Sequence, residues 1–211
     1  MTAMSATGPT SEGKGARTRA AIQEAAVIAF RRDGYQRATL AGIAEELGIT
    51  RSAVLHHFSS KAELLRQSVE PFFARLDEML DRVESRAPIP DRQRRLLVTE
   101  VVDLVAEYRQ VAAFLTSDPS VSSHLGPDLQ LPARAQRFVA ITVGAQGSEL
   151  AAVRSLAALG SVLRPLIASD ELVDFSDPAT RQLLVACAMA VLKTPLPISP
   201  GSAPSRDHAG S

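Results

Sequence analysis

Thr50, Arg51 and Ser52 follow the Gly48-Ile49 pair, and His57, Ser60 and Lys61 come shortly after. Hydroxyls, a guanidinium, an imidazole and an ammonium within one short stretch suit the binding of phosphate oxygens and base edges. They do not compose a nucleophile with its base. A hydroxyl that opens a helix stands beside free backbone amides, so Thr50 and the turn after it can also hold a phosphate. Arg51 and Ser52 occupy that first turn, the part of a recognition helix that reaches bases, and Arg is the best match to O6 and N7 of guanine. Lys61 begins the next helix, where its charge and the helix N-terminus can act on one phosphate together.

Periodicity shows which elements must position these groups. A helix is predicted from Ala16, with Ile22, Ala26, Ala29 and Phe30 on one face. It ends at Gly34, the expected left-handed residue. Thr39 caps a second helix with Leu40, Ile43, Ala44 and Leu47 inward, closed by Gly48. Thr50 caps the third, with Val54 and Phe58 inward beside Ile49. Two short helices around a Gly turn make a helix-turn-helix, whose second helix enters the major groove of DNA. Ser60 and Glu63 form a capping box for a fourth helix, with the Glu63 carboxylate reaching back to the Ser60 amide. The stripe of that helix runs through Leu65, Val69, Phe72, Leu76, Met79 and Val83. Pro71 interrupts it and predicts a kink, because the Gln67 carbonyl loses its donor. The kink can be a hinge or a bend around the core; the sequence leaves both open.

A helix from Asp91 to Tyr108 precedes a less regular stretch holding the breakers Asp118-Pro119 and Gly126-Pro127. Helical pattern returns from Pro132 to Val143, from a Ser148 cap to Ala168, and from a Ser176 cap through Leu192. Strand alternation and internal repeats are absent. The expected fold class is all-α, with about nine helices in total. Its expected divisions are a disordered arm over 1–14, a helix-turn-helix DNA-binding domain over 15–61, a larger helical ligand-binding and dimerisation domain over 62–194, and a disordered tail over 195–211.

Composition narrows the class. Of 211 residues, 45% are hydrophobic and 22% charged, as in soluble globular proteins. No apolar run reaches the roughly 18 residues that span a bilayer, and the first residues have no apolar core of a secretory leader. One cysteine, Cys187, excludes an internal disulfide and fits the reducing cytoplasm. The net charge is zero, but it divides: residues 1–61 hold eight basic and five acidic groups, net +3, and the rest fifteen against eighteen, net −3. The positive end coincides with the segment that would meet a phosphate backbone.

Gly34-Tyr35, Thr39, Ile43-Ala44, Gly48-Ile49-Thr50, His57-Phe58, Ser60-Lys61 and Leu64 together resemble the DNA-binding signature of the TetR family of bacterial transcriptional regulators. The likeness is gapless and covers roughly the first third of the chain. It implies that Thr39, Thr50, His57 and Lys61 contact phosphates and that Arg51 and Ser52 address bases. The family usually has a phosphate-contacting Tyr where Leu55 stands, and often a Gly where Ser52 stands. Leu55 can touch a thymine methyl instead, and His56 can take over a backbone contact. Operator preference is therefore sought at Ser52, Leu55 and His56.

The resemblance also implies an effector pocket in the helical body and a dimer made by the last two helices. Phe72, Phe73, Met79, Tyr108, Phe114, Leu115 and Phe138 are the candidate pocket residues, although plain core is the default for apolar residues at this spacing. Leu156, Leu159, Gly160 and Leu163, with Val185, Ala188, Met189 and Leu192, are the candidate dimer face. Cys187 is expected to pack rather than to sense oxidants. Arg31 and Arg32 suit a DNA contact, and a solvated last turn at least as well. The adjacent His56 and His57 point about 100° apart on a helix and lack further ligands, so neither metal nor other cofactor is expected. No nucleophile elbow or phosphate loop marks an enzyme.

The function expected is that of a homodimeric repressor, released from a pseudo-palindromic double-stranded DNA operator by a small apolar effector. The alternative is an architectural DNA-binding protein with no effector. No membrane partner is expected.

Overall fold

The computed structural model describes residues 11–117, 128–144, 147–168 and 174–196. Helix α1 (Ser11–Asp33) begins earlier than its apolar face requires and ends at Gly34, whose φ of 79° no β-carbon-bearing residue adopts readily. Helix α2 (Leu40–Glu46) starts where the Thr39 hydroxyl accepts the Gly42 amide at 3.1 Å. Gly48, at φ 64°, turns the chain into α3 (Arg51–His57), where the Thr50 hydroxyl accepts the Ala53 amide at 3.1 Å. Both N-caps expected from the sequence are thus in place.

Helix α4 (Lys61–Glu84) opens with the Ser60 hydroxyl accepting the Glu63 amide at 3.1 Å. The other half of the capping box differs from expectation. Glu63 Oε2 accepts from the Ser59 amide at 2.7 Å and from the Ser59 hydroxyl, not from the Ser60 amide. The extended backbone at Ser60 carries the chain back so that Ser59 faces the carboxylate.

Helix α5 (Asp91–Glu107) meets α6 (Arg109–Ser117) at Tyr108. The sequence suggests irregular structure after Tyr108, yet Val111 to Leu115 are all buried there, Phe114 completely. Burial of a Phe or Leu side chain is worth about 1.5–3 kcal/mol, enough to set the conformation of a short segment. Three helices complete the body: α7 (Leu131–Val143), α8 (Glu149–Ala168) and α9 (Pro178–Lys193). Ser148 caps α8 as expected, accepting the Ala151 amide at 3.2 Å. The cap of α9 is Asp177, which accepts the Ala179 amide at 3.0 Å. Ser176 instead donates its amide and hydroxyl to Asp174, so it has no role as a cap.

Among the described residues all regular structure is helical, in nine helices. The breakers at 118–119 and 126–127, the first ten residues of the arm and the tail from 197 onward lie outside the described residues.

Two contacts fix how the N-terminal helices sit on the body. Phe30, at the end of α1, meets Tyr35 edge-on at 5.3 Å and Phe114 of α6 at 5.8 Å. Further along, α4 remains one helix through Pro71, and the Gln67 carbonyl that Pro71 leaves without a donor accepts Gln23 Nε2 of α1 at 2.8 Å. In the body, buried Thr142 and Ser155 share a hydrogen bond of 2.6 Å that joins α7 to α8.

Candidate nucleic-acid interface and body cavity

Helix α3 buries Val54 completely and leaves Arg51, Ser52, Leu55 and His56 exposed. Their spacing gathers them on one helix face. Arg51 has no hydrogen bond or ion pair among the described residues, so its guanidinium is available to a ligand. Ser52 shares a hydrogen bond of 2.9 Å with the Thr50 hydroxyl at the head of the helix. Thr39 and Thr50 are exposed, and His57 is half-buried at the other end of α3 from Thr50.

Lys61 departs from expectation. Its ammonium donates to three backbone carbonyls of the α1–α2 loop, Tyr35 at 2.8 Å, Gln36 at 3.2 Å and Ala38 at 3.1 Å. It also lies 4.5 Å from the centre of the Tyr35 ring. The three protons of the ammonium are matched by these three carbonyls. The reason is tertiary: the loop after α1 folds over the start of α4, and its carbonyls converge on the one cation there.

Other cations are tied as well. Arg19 donates to the His57 carbonyl at 2.9 Å and to Gln67 Oε1, with its guanidinium 4.5 Å from the Phe58 ring. Arg31 reaches Gln110 at 2.8 Å, and Arg32 pairs with Asp33 at 2.7 Å and Glu46 at 2.6 Å. By sequence both suit a DNA contact; in the fold both are engaged within the chain. Asp33 is held below the usual carboxylate range by the Arg32 hydrogen bond.

The body holds an apolar, partly open cavity of ≈ 270 Å³ between α4, α5, α6, α7 and α8. Phe72, Phe73, Leu115 and Phe138, four of the expected pocket residues, line it. Met79, Tyr108 and Phe114 do not. Phe114 is fully buried against Phe30, and Tyr108 meets Phe72 edge-on at 6.0 Å. Leu159 and Leu163, expected at a dimer face, line the cavity instead. The wall also contains Arg134, which apolar periodicity does not single out. Its guanidinium lies 4.3 Å from the Phe73 ring and forms a two-pronged pair with Asp77 at 3.0 and 2.6 Å. Arg137 bridges Asp77 at 3.2 Å, Glu84 at 2.8 Å and also Asp81. Arg134 is the one charged side chain among the described residues of the wall, and Asp77 neutralises it. The Glu84 carboxyl is held below its usual range by Arg137.

Helices α8 and α9 correct the expected dimer face. Val185, Ala188, Met189 and Leu192 are buried inside this chain, as are Ala151, Ser155, Ala158 and Val162 of α8. The open faces carry Leu150, Val153 and Leu156 of α8, at 43%, 58% and 44% exposure, and Leu183 of α9 at 64%. Leu156 alone of the expected large residues lies there. A β-carbon at Gly160 would have no neighbour within 4 Å outside its own helix turn. Cys187 is exposed one turn beyond Leu183, not packed. An Ala-rich helix is apolar on nearly every face, so its stripe could not reveal which side the subunit itself covers.

Among the described residues, no group of three or more His, Cys, Asp or Glu side chains could hold a metal ion. No helix there is long and apolar enough to cross a membrane.

Residues 22–67 match the family model described as "Bacterial regulatory proteins, tetR family". The HTH-type transcriptional regulator TtgR of Pseudomonas putida is 38% identical over 94 residues, covering 44% of this chain and 45% of that protein. The match thus spans less than half the length of this relative. Solved structures extend the likeness over the body at the level of fold. A TetR-family transcriptional regulator from Bordetella parapertussis 12822 superposes with a TM-score of 0.61 at 19% identity, over 83% of this chain and 94% of that one. The ketosteroid transcriptional regulator KstR2 of Mycobacterium tuberculosis does so with a TM-score of 0.62 at 15% identity, over 83% and 92%. Residues 22–67 of this chain thus match the model of the TetR family of bacterial regulatory proteins, and its described residues share the helical fold of solved regulators of that kind.

Proposed function

We propose that this chain is a homodimeric transcriptional repressor that α3 docks on operator DNA and that a small apolar effector in the body cavity releases. The observation that carries the reading is the exposed face of α3, where Arg51 stands without a partner on a family-matched helix-turn-helix. Arg51, Ser52, Leu55 and His56 read bases; Thr39, Thr50 and His57 meet phosphates. Residues 15–61 serve as the DNA-binding domain and 62–194 as the effector and dimerisation domain. Such a regulator works in the cytoplasm.

The cavity supports an uncharged apolar effector. Its volume is near the lower end of the roughly 300–1,000 Å³ usual for ligand sites, and Arg134, the one charged wall residue among those described, is already paired. Leu150, Val153, Leu156 and Leu183 support a second copy as the cover of α8 and α9, an arrangement that sets two α3 helices about 34–36 Å apart in successive major grooves. An effector that fits only a different spacing of those helices lowers DNA affinity by its preference for that state.

Selection of bound sequences from random duplex DNA, repeated with candidate apolar compounds, tests the reading. A pseudo-palindromic consensus weakened by a compound is the expected result. Arg51→Ala should relax specificity at one position in each half-site. A consensus without symmetry, or binding that no compound alters while the cavity is shown to be filled, would overturn the repressor reading in favour of an architectural role. Leu183→Glu should give monomers in sedimentation; an unchanged dimer would place the interface elsewhere.

A further inference from the structure

Among the described residues of the cavity wall, Thr116 and Arg134 alone carry polar side-chain atoms. The Thr116 hydroxyl gives its proton to the Ala112 carbonyl at 2.6 Å, so toward a ligand it can only accept. Arg134 differs. A guanidinium presents five N–H donors in a fixed plane. Asp77 takes the Nε donor at 3.0 Å and one Nη2 donor at 2.6 Å, and the Leu129 carbonyl takes one from Nη1. One donor on each Nη nitrogen therefore has no partner among the described residues. The wall offers a ligand spare donors at this one side chain.

Arg134 stands where the cavity meets its surroundings. Phe73 and Arg134 are the residues that the cavity shares with a neighbouring cleft of ≈ 280 Å³, whose rim includes the exposed Arg66, Glu70 and Ala74. The guanidinium lies 4.3 Å from the centre of the Phe73 ring, so the two side chains together form that boundary. Only 17% of the Arg134 side chain is exposed, and a ligand filling the cavity would cover more of it. Donors that lose water and gain no acceptor are costly, so the best-bound ligand is one that supplies an acceptor there. Neighbouring charge selects its kind. Asp77, Asp81 and Glu84 of α4 meet Arg134 and Arg137 of α7, three carboxylates to two guanidinium groups. A ligand carboxylate would have to take Arg134 from Asp77 within a set already negative by one. An ammonium would meet a guanidinium and no carboxylate in the wall. A neutral acceptor oxygen uses the spare donors and disturbs neither pair.

We propose that Arg134 is the polar anchor of the cavity, and that the effector is an uncharged, mainly apolar molecule bearing a carbonyl-type acceptor oxygen. Its apolar body fills the space between α4, α5, α6, α7 and α8, and its oxygen lies on the spare guanidinium donors. The proposal rests on the effector reading of the cavity given above and adds the chemical class. A hydrocarbon of the same shape fills the same space and leaves those donors stranded.

The test compares methyl naphthyl ketone with its isopropenyl isostere, which has the same shape and no acceptor. Each is titrated against the full chain loaded with the uncharged dye N-phenylnaphthylamine, and displacement is read by fluorescence. Arg134→Met keeps an unbranched apolar side chain and removes the donors, while Asp77 retains Arg137 at 3.2 Å. The variant should weaken the ketone at least about tenfold relative to the isostere, the effect of one charge-assisted hydrogen bond. Taking the ratio of the two compounds cancels any general change in the wall. Circular dichroism checks the fold of the variant. A second measurement needs no variant: infrared difference spectra of the isotope-labelled ketone bound to the unaltered chain should show its carbonyl stretch below that in cyclohexane. Equal weakening of both compounds, or a carbonyl stretch as in cyclohexane, would overturn the anchor while leaving the cavity as the effector site. Displacement of the dye by neither compound, or no uptake of the dye, would overturn the effector reading and the anchor with it.

Discussion

Replacing Lys61 separates a structural cation from a DNA-binding one. Three hydrogen bonds of 2.8, 3.2 and 3.1 Å join its ammonium to the Tyr35, Gln36 and Ala38 carbonyls. Charge-assisted bonds of this kind contribute about 1.5–3 kcal/mol each, which would sum to well over 4 kcal/mol if additive. Two corrections reduce that figure. The ammonium is only half-buried, so water competes, and ordering a lysine side chain costs up to about 2 kcal/mol. The net loss for Lys61→Ala is then about 2–3 kcal/mol, because the carbonyls left behind recover some bonds to water. For a chain of this size each kcal/mol lowers Tm by about 2–4 °C, so a fall of about 4–12 °C is expected. Arginine should not rescue it, since a planar fork cannot aim three donors at carbonyls converging on one point. Thermal unfolding followed by circular dichroism measures the first effect, and the salt slope of DNA binding measures the second. The slope should be unchanged. A Tm within about 1 °C of the parent together with a slope lower by about 0.9 per chain would refute the reasoning, since that pair of results is the signature of a phosphate contact.

The Gln23 side chain should matter only because Pro71 exists. Gln23→Leu is expected to cost about 1–3 kcal/mol in urea unfolding by stranding the Gln67 carbonyl, and much less when Pro71→Ala restores the helical donor; additive losses in the double-mutant cycle would contradict this. Acid should destabilise the chain through depressed carboxyls. Glu63 is held low by its bonds to the Ser59 hydroxyl and amide, and Glu84 by Arg137. A carboxyl lowered in the folded state stabilises above its unfolded pKa, and that contribution disappears as pH falls through the folded value. Tm should therefore decline on acidification from about pH 5 toward pH 3, and less steeply in Glu63→Gln with Glu84→Gln; parallel curves would show that these groups are not responsible. Filling the cavity with Leu115→Phe should abolish response to any effector that releases DNA while leaving DNA binding in its absence intact, as read by anisotropy, and a retained response would place the effector elsewhere.

The sequence by itself determined the helix-turn-helix and its caps, because Thr39, Thr50, Ser60, Gly34 and Gly48 act on backbone amides and dihedral angles within a few residues of themselves. It also determined the exposed set on α3, since helical periodicity opposes Arg51, Ser52, Leu55 and His56 to the buried Val54. Local rules left Lys61 ambiguous. Whether its ammonium meets carbonyls or phosphate depends on where a loop some twenty-five residues earlier passes, as the separation of Lys61 from Tyr35 and Gln36 shows. The same limit applies to α6, which long-range burial of Phe114 makes helical, and to α8 and α9, whose apolar residues suit either side. Capping and periodicity are short-range and are written in neighbouring residues. Which carbonyl, cavity or open face a side chain reaches is decided only when distant helices pack, and that decision turned the Lys61 ammonium onto the α1–α2 loop, Leu159 and Leu163 into the cavity wall, and Cys187 to the surface.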